Sequence, residues 1–129
     1  MNRRISTLIL AVGLVTLELS PASAHTVLIA SSPVANSTIT LFPKKITLIF
    51  GDPLLVLGKR VINTIQVVNS KGKVMTGTSN RVSGAVLSNV LLTIGAISGK
   101  YRVNFRVVAQ DGHVVSGGFN FYVKSKLRR

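Results

Sequence analysis

Three side chains in this sequence have the types and spacing for metal chemistry: His25, Asp111 and His113. His25 directly follows Ala22-Ser23-Ala24, a small-x-small run of the kind signal peptidase cleaves after. A cut there makes His25 the first residue. Its α-amine and imidazole Nδ1 can then grip one ion together, where an internal histidine offers only its ring. Asp111-Gly112-His113 adds a carboxylate and a second imidazole. Residues two apart on an extended chain point the same way, so both can aim at one point, and Gly112 lets the backbone bulge or approach closely. Taken alone, Asp-Gly is an ordinary hairpin signal and His113 an ordinary loop histidine. Their company weighs against that: the sequence has two histidines, His25 and His113, and beyond residue 24 two acids, Asp52 and Asp111.

An amine nitrogen, two imidazole nitrogens and a carboxylate oxygen favour Cu(II) in a tetragonal arrangement. Zinc would sit there more weakly, and nickel is conceivable. The chain has no cysteine, which excludes a thiolate zinc site and any disulfide. Amine and imidazoles bind only when unprotonated, so such a site loses metal as the pH falls through the histidine range. Other chemistry has little to work with. The sequence shows no nucleophile–base arrangement, no paired carboxylates and no phosphate loop, and two acids are a poor basis for general acid–base hydrolysis.

The segments before and after His25 read differently. Arg3 and Arg4 form a basic start and Ile5 to Leu17 is mostly apolar, too short for a comfortable membrane span of roughly 20 residues. Residues 1–24 are therefore expected to be a cleavable signal peptide, with Arg3-Arg4 leaving the general and twin-arginine routes open. Residues 25–129 are expected to form one domain with one core. Losing Arg3, Arg4 and Glu18 takes the net charge from +13 to +12. Such a balance raises nucleic acid as a partner, but export, scattered cations and too few aromatics for a stacking platform count against it. Weak contact with an anionic membrane surface or a negatively charged envelope partner fits better; the plainer alternative is that Lys and Arg keep the surface soluble.

The positioning elements read as strands. In Tyr101–Val107, Tyr101, Val103, Phe105 and Val107 fall on one face and Arg102, Asn104 and Arg106 on the other; in Gly117–Val123, Phe119, Phe121 and Val123 share a face. Period two means strands buried on one side. Further runs are Thr26–Ala30, Ile46–Phe50, Thr64–Val68, Lys73–Thr76 pairing back across a turn at Asn69-Ser70-Lys71-Gly72, and Val86–Ile94. About seven short strands with regular turn signals predict an all-β, antiparallel immunoglobulin-like β-sandwich.

A histidine after the leader, Ser32-Pro33, Phe50-Gly51-Asp52-Pro53 and the run from Val107 to Phe119, with Asp-Gly-His followed by Ser-Gly-x-Phe, together resemble the CopC family of periplasmic copper-binding proteins. The resemblance spans essentially all of residues 25–129. It implies a β-sandwich binding Cu(II) through His25, Asp111 and His113, and a role in copper handling or resistance, often beside a CopD-type inner-membrane copper transporter. Two departures matter. Some members carry a methionine-rich loop for Cu(I), suited by soft thioethers, whereas here Met75 is the one methionine beyond the leader and reads as packing or surface. Asp52 stands where the family usually has glutamate, and is expected to be a strand-end turn rather than a ligand.

The expected function is a non-enzymatic, exported Cu(II) carrier or buffer. Two other readings remain open. One is a copper-dependent monooxygenase using a terminal-histidine brace, though a carboxylate beside the metal crowds positions oxygen needs, and a Trp/Tyr polysaccharide face is lacking. The other is a structural sandwich domain without metal.

Overall fold

Alternation along the last third of the chain builds the centre of the fold. The computed structural model describes residues 26–124. In β7 (Gly99–Val108) Tyr101, Val103, Phe105 and Val107 are buried, while Lys100, Arg102, Asn104 and Arg106 are exposed. It pairs antiparallel with β8 (Val114–Val123) through ten registered residues, from Gly99 opposite Val123 to Val108 opposite Val114. The other strands are β1 (Leu28–Ser32), β2 (Thr38–Ile39), β3 (Lys45–Phe50), β4 (Thr64–Val68), β5 (Thr76–Ser83) and β6 (Val86–Leu91). They form two four-stranded sheets, β1-β3-β6-β5 and β2-β8-β7-β4. All neighbours are antiparallel except β2, which runs parallel to β8 over two residues.

The core lies between the sheets. Ile46, Leu48 and Phe50 of β3 and Leu87 and Leu91 of β6 meet Ile65 and Val67 of β4 and the inward residues of β7 and β8. The Tyr101 ring stacks on Phe121 at 5.2 Å and 8°. Its hydroxyl is not left without partners: it donates to Ile97 O at 2.6 Å and accepts from Ile97 N–H at 2.9 Å. A buried phenol is tolerated only with such partners. Phe105 meets Phe50 edge-on at 5.3 Å, and its ring covers Gly117, where a methyl group would stand 2.7 Å from Phe105 Cζ. The glycine of the Ser-Gly-Gly-Phe run is thus required by packing. A side chain there would displace Phe105 and, through it, Phe50, at a cost of about 1–3 kcal/mol.

Eight strands stand where about seven were expected, and the differences have physical causes. Strand β2 has two residues, too few to show a period. Strand β5, Thr-Gly-Thr-Ser-Asn-Arg-Val-Ser, is polar and lies at a sheet edge with an irregular register between Thr76 and Asn80. Its anchor is hydrogen bonding: Asn80 Oδ1 accepts from the Ile65 N–H of β4 at 3.1 Å and from Asn89 Nδ2 at 3.0 Å, joining the edges of the two sheets. The return expected at Lys73–Thr76 is present as a Val68–Val74 bridge and a Met75 N–H to Val67 O bond. Met75 is wholly buried (0% exposed), a packing residue. The apolar run from Val86 ends as a strand at Leu91, and Ile94 lies in the loop beyond.

Candidate metal centre

The site is assembled where β7 turns into β8. Residues 109–113 form a closed loop: Ala109 N–H donates to His113 O and Gly112 N–H to Ala109 O, both at 2.9 Å. Gly112 has φ of 89°, a conformation that favours glycine. The expected extended run from Asp111 to His113 is therefore corrected to a turn. Both side chains are still brought together, by direct bonding rather than by a shared strand face. Asp111 Oδ1 accepts the His113 backbone N–H at 3.0 Å, and Oδ2 lies 2.7 Å from His113 Nδ1. This is a close contact between a carboxylate and a basic side chain, a hydrogen bond while the imidazole is neutral.

These contacts set the charge of Asp111 and the tautomer of the neutral His113 ring. The His113 amide N–H, and after it the His113 ring, holds the Asp111 carboxyl below its ordinary range. An ionised carboxylate can only accept, so Nδ1 carries the ring hydrogen and Nε2 bears the lone pair in the neutral imidazole. A carboxylate that fixes a histidine tautomer in this way prepares the opposite nitrogen for a metal.

A second set of backbone bonds brings the chain's other acid to the same place. Gly51 N–H donates to Val27 O at 2.9 Å, Leu55 N–H to Val108 O at 2.8 Å, and Leu54 bridges to Ala109. The bend after β3 is thereby tied both to Val27, the residue before β1, and to the end of β7 and the 109–113 loop. Asp52 does sit in that bend, as expected, but its carboxylate also accepts from Thr26 Oγ1 at 3.3 Å. Thr26, Asp52, Pro53, Ala109, Gln110 and Asp111 line one cavity of about 220 Å³. Asp52 and Asp111 are the only acids among the described residues, against eleven Lys and Arg. Both face this cavity.

Sequence reasoning missed Asp52 and Thr26 as cavity residues. The signal was present: one of two acids in a strongly basic stretch, directly after the core residue Phe50. His25 lies outside the described residues, as does the expected leader, 1–24. Its covalent neighbour Thr26 is 1% exposed on the cavity wall. Among the described residues no three His, Asp or Glu side chains converge closely enough to hold a metal.

Residues 28–124 match the CopC domain family. The chain belongs to the CopC family. It is 30% identical over 125 residues to copper resistance protein C of Xanthomonas campestris pv. juglandis, covering 95% of this chain and 97% of that one. Its structure is similar to that of CopC from Methylosinus trichosporium OB3b, with a TM-score of 0.69 and 26% identity over 81% of this chain and 99% of the other. It also resembles PcoC, a methionine-rich copper resistance protein from Escherichia coli, with a TM-score of 0.62 and 26% identity over 78% of this chain and 100% of the other. The fold is thus the CopC sandwich, and the function is copper-related. In contrast to the methionine-rich relative, this CopC-family chain has two methionines, Met1 and the buried Met75.

Proposed function

We propose that this CopC-family protein is a periplasmic Cu(II) carrier or buffer that binds its cargo between the His25 terminus and the Asp111–His113 loop. In this reading residues 1–24 are removed on export, and residues 25–129 are the working domain. The α-amine and ring of His25 and Nε2 of His113 supply the nitrogen donors, and the Asp111 carboxylate joins them by leaving its contact with His113 Nδ1, which lies on the ring side opposite Nε2. The observation that carries the proposal is the position of Thr26. It is buried on the wall of the cavity that Asp111 also lines, and residue 25 is the residue bonded directly before it in the chain. Asp52 adds negative charge at the same cavity and anchors Thr26 through its hydroxyl.

Nitrogen donors with a carboxylate suit Cu(II), and the absence of exposed thioethers among the described residues leaves Cu(I) without soft ligands. Carriage is favoured over a monooxygenase because a carboxylate at the metal fills a position that oxygen chemistry needs open. A CopD-type membrane transporter is the expected partner for hand-over. The test is to recover the exported protein, sequence its N-terminus and measure bound metal. A terminus at His25 with one Cu(II) per chain is expected; a terminus at any other residue, with copper still bound one to one, would overturn the ligand set.

A further inference from the structure

The end of the sandwich opposite the cavity has a chemistry of its own. Strand β7 runs from Gly99 at that end to Val108 at the cavity end, which separates the two poles by about 30 Å. Three loops and the end of β8 meet at the far pole: residues 40–44, 69–75 and 92–98, and Lys124. Leu91 N–H bonds to Lys44 O, Leu92 N–H to Met75 O and Lys124 N–H to Ile39 O, and Lys73 Nζ reaches Ile94 O at 3.3 Å. Leu41, at 82%, and Ile94, at 86%, are the two most exposed large hydrophobic residues among those described, and both stand on loops of this pole.

Around them are Lys44, Lys45, Lys71, Lys73, Lys100 and Lys124, all exposed, six of the seven described lysines. Among the described residues no carboxylate side chain faces them, because the two described acids line the cavity at the other pole. A single exposed leucine needs no explanation. Leu41 and Ile94 on neighbouring loop tips, with exposed lysines at the same pole and no described acid among them, form an amphipathic surface.

We propose that this pole docks the domain on an anionic phospholipid bilayer. Leu41 and Ile94 enter the boundary between headgroups and acyl chains, and the lysines lie on lipid phosphates. The cavity then faces away from the membrane. Lipid is favoured over an acidic protein partner by the residue types. Protein interfaces are enriched in Arg and aromatic residues and depleted of Lys, whereas the cations of these loops are all lysines and the apolar groups are separate tips rather than a continuous patch. Long lysine stems also place their ammonium groups at headgroup level while apolar neighbours insert.

The test is co-sedimentation of the chain from His25 onward, without copper, with vesicles of phosphatidylcholine alone or with phosphatidylglycerol. Omitting the metal keeps this result independent of the copper-site reading. Binding to the phosphatidylglycerol vesicles alone is expected, weakening as salt is raised. Leu41→Ser with Ile94→Ser leaves the charge unchanged and should weaken binding at least tenfold, with an unaltered melting temperature because both tips stand in solvent. Lys44→Gln with Lys73→Gln should weaken it about 25-fold, about fivefold per lysine. Lys59→Gln with Arg60→Gln, the same loss of charge elsewhere, should cost far less. The proposal is overturned if phosphatidylglycerol vesicles do not pellet the protein, if the apolar double variant binds like wild type, or if the two charge variants lose binding equally.

Discussion

A chain acetylated on the His25 α-amine should bind Cu(II) about 10²–10⁴-fold more weakly than a chain with that amine free. Acetylation turns the α-amine into an amide, whose nitrogen lone pair is no longer available, supplies no new amine, and leaves the imidazole untouched. The loss is therefore that of a tethered second donor, not of a whole side chain. Nothing in the fold should change. Thr26 remains joined to the same residue, its hydroxyl still bonds Asp52 at 3.3 Å, and the Gly51 N–H to Val27 O bond holds the bend beside it. Competition titration against a copper chelator measures the affinity, and a thermal melt serves as the control for folding. Equal affinities in the two chains would remove the amine from the ligand set.

Replacing His113 with alanine should cost about 10²-fold or more in Cu(II) affinity, and Asp111→Asn about 10–100-fold. The two differ because Asp111 both faces the cavity and orients the ring of His113. Asparagine retains an oxygen that can take the His113 N–H, but it lacks the charge that fixes the proton on Nδ1. Their pH profiles should also follow from the contacts. The His113 amide and ring hold the Asp111 carboxyl low, so its charged form favours the folded state. That contribution is complete above the ordinary carboxylate value of about 4 and is lost only as the pH falls through the lowered one. Between neutral pH and about pH 5 the carboxylate stays charged, and copper is lost because protons compete for the nitrogen donors. A copper titration flat across that window would contradict nitrogen ligation.

Much of this was legible in the residues themselves. The pattern Tyr101-Val103-Phe105-Val107 against Arg102-Asn104-Arg106 has one physical solution, a strand with a buried and a solvated face. The same holds for Phe119-Phe121-Val123, and Thr64–Val68 coincides with β4. Strand β5 was not legible, because it is held by the Asn80 amide rather than by an apolar face, and such a bond depends on what packs opposite. Strand β2 is set by its neighbour β8, not by its own two residues.

At the site, pairing Asp111 with His113 needed only their spacing, but the reason inferred for it, extended backbone, was wrong. Gly112 closes a turn, and the pair is made by hydrogen bonds within it. Asp52 was read as punctuation because Gly-Asp-Pro is a turn signal. Its second role depends on Leu55 and Leu54 bonding to Val108 and Ala109, contacts between segments more than 50 residues apart.

The most direct test of the copper site is electron paramagnetic resonance of the Cu(II)-loaded chain beginning at His25, with histidine labelled by nitrogen-15. The account expects a tetragonal signal with three nitrogen couplings: two imidazoles, one from each histidine, and the labelled terminal amine. His113→Ala should remove one of them. A spectrum that His113→Ala leaves unchanged, or one with couplings from a single histidine, would contradict it.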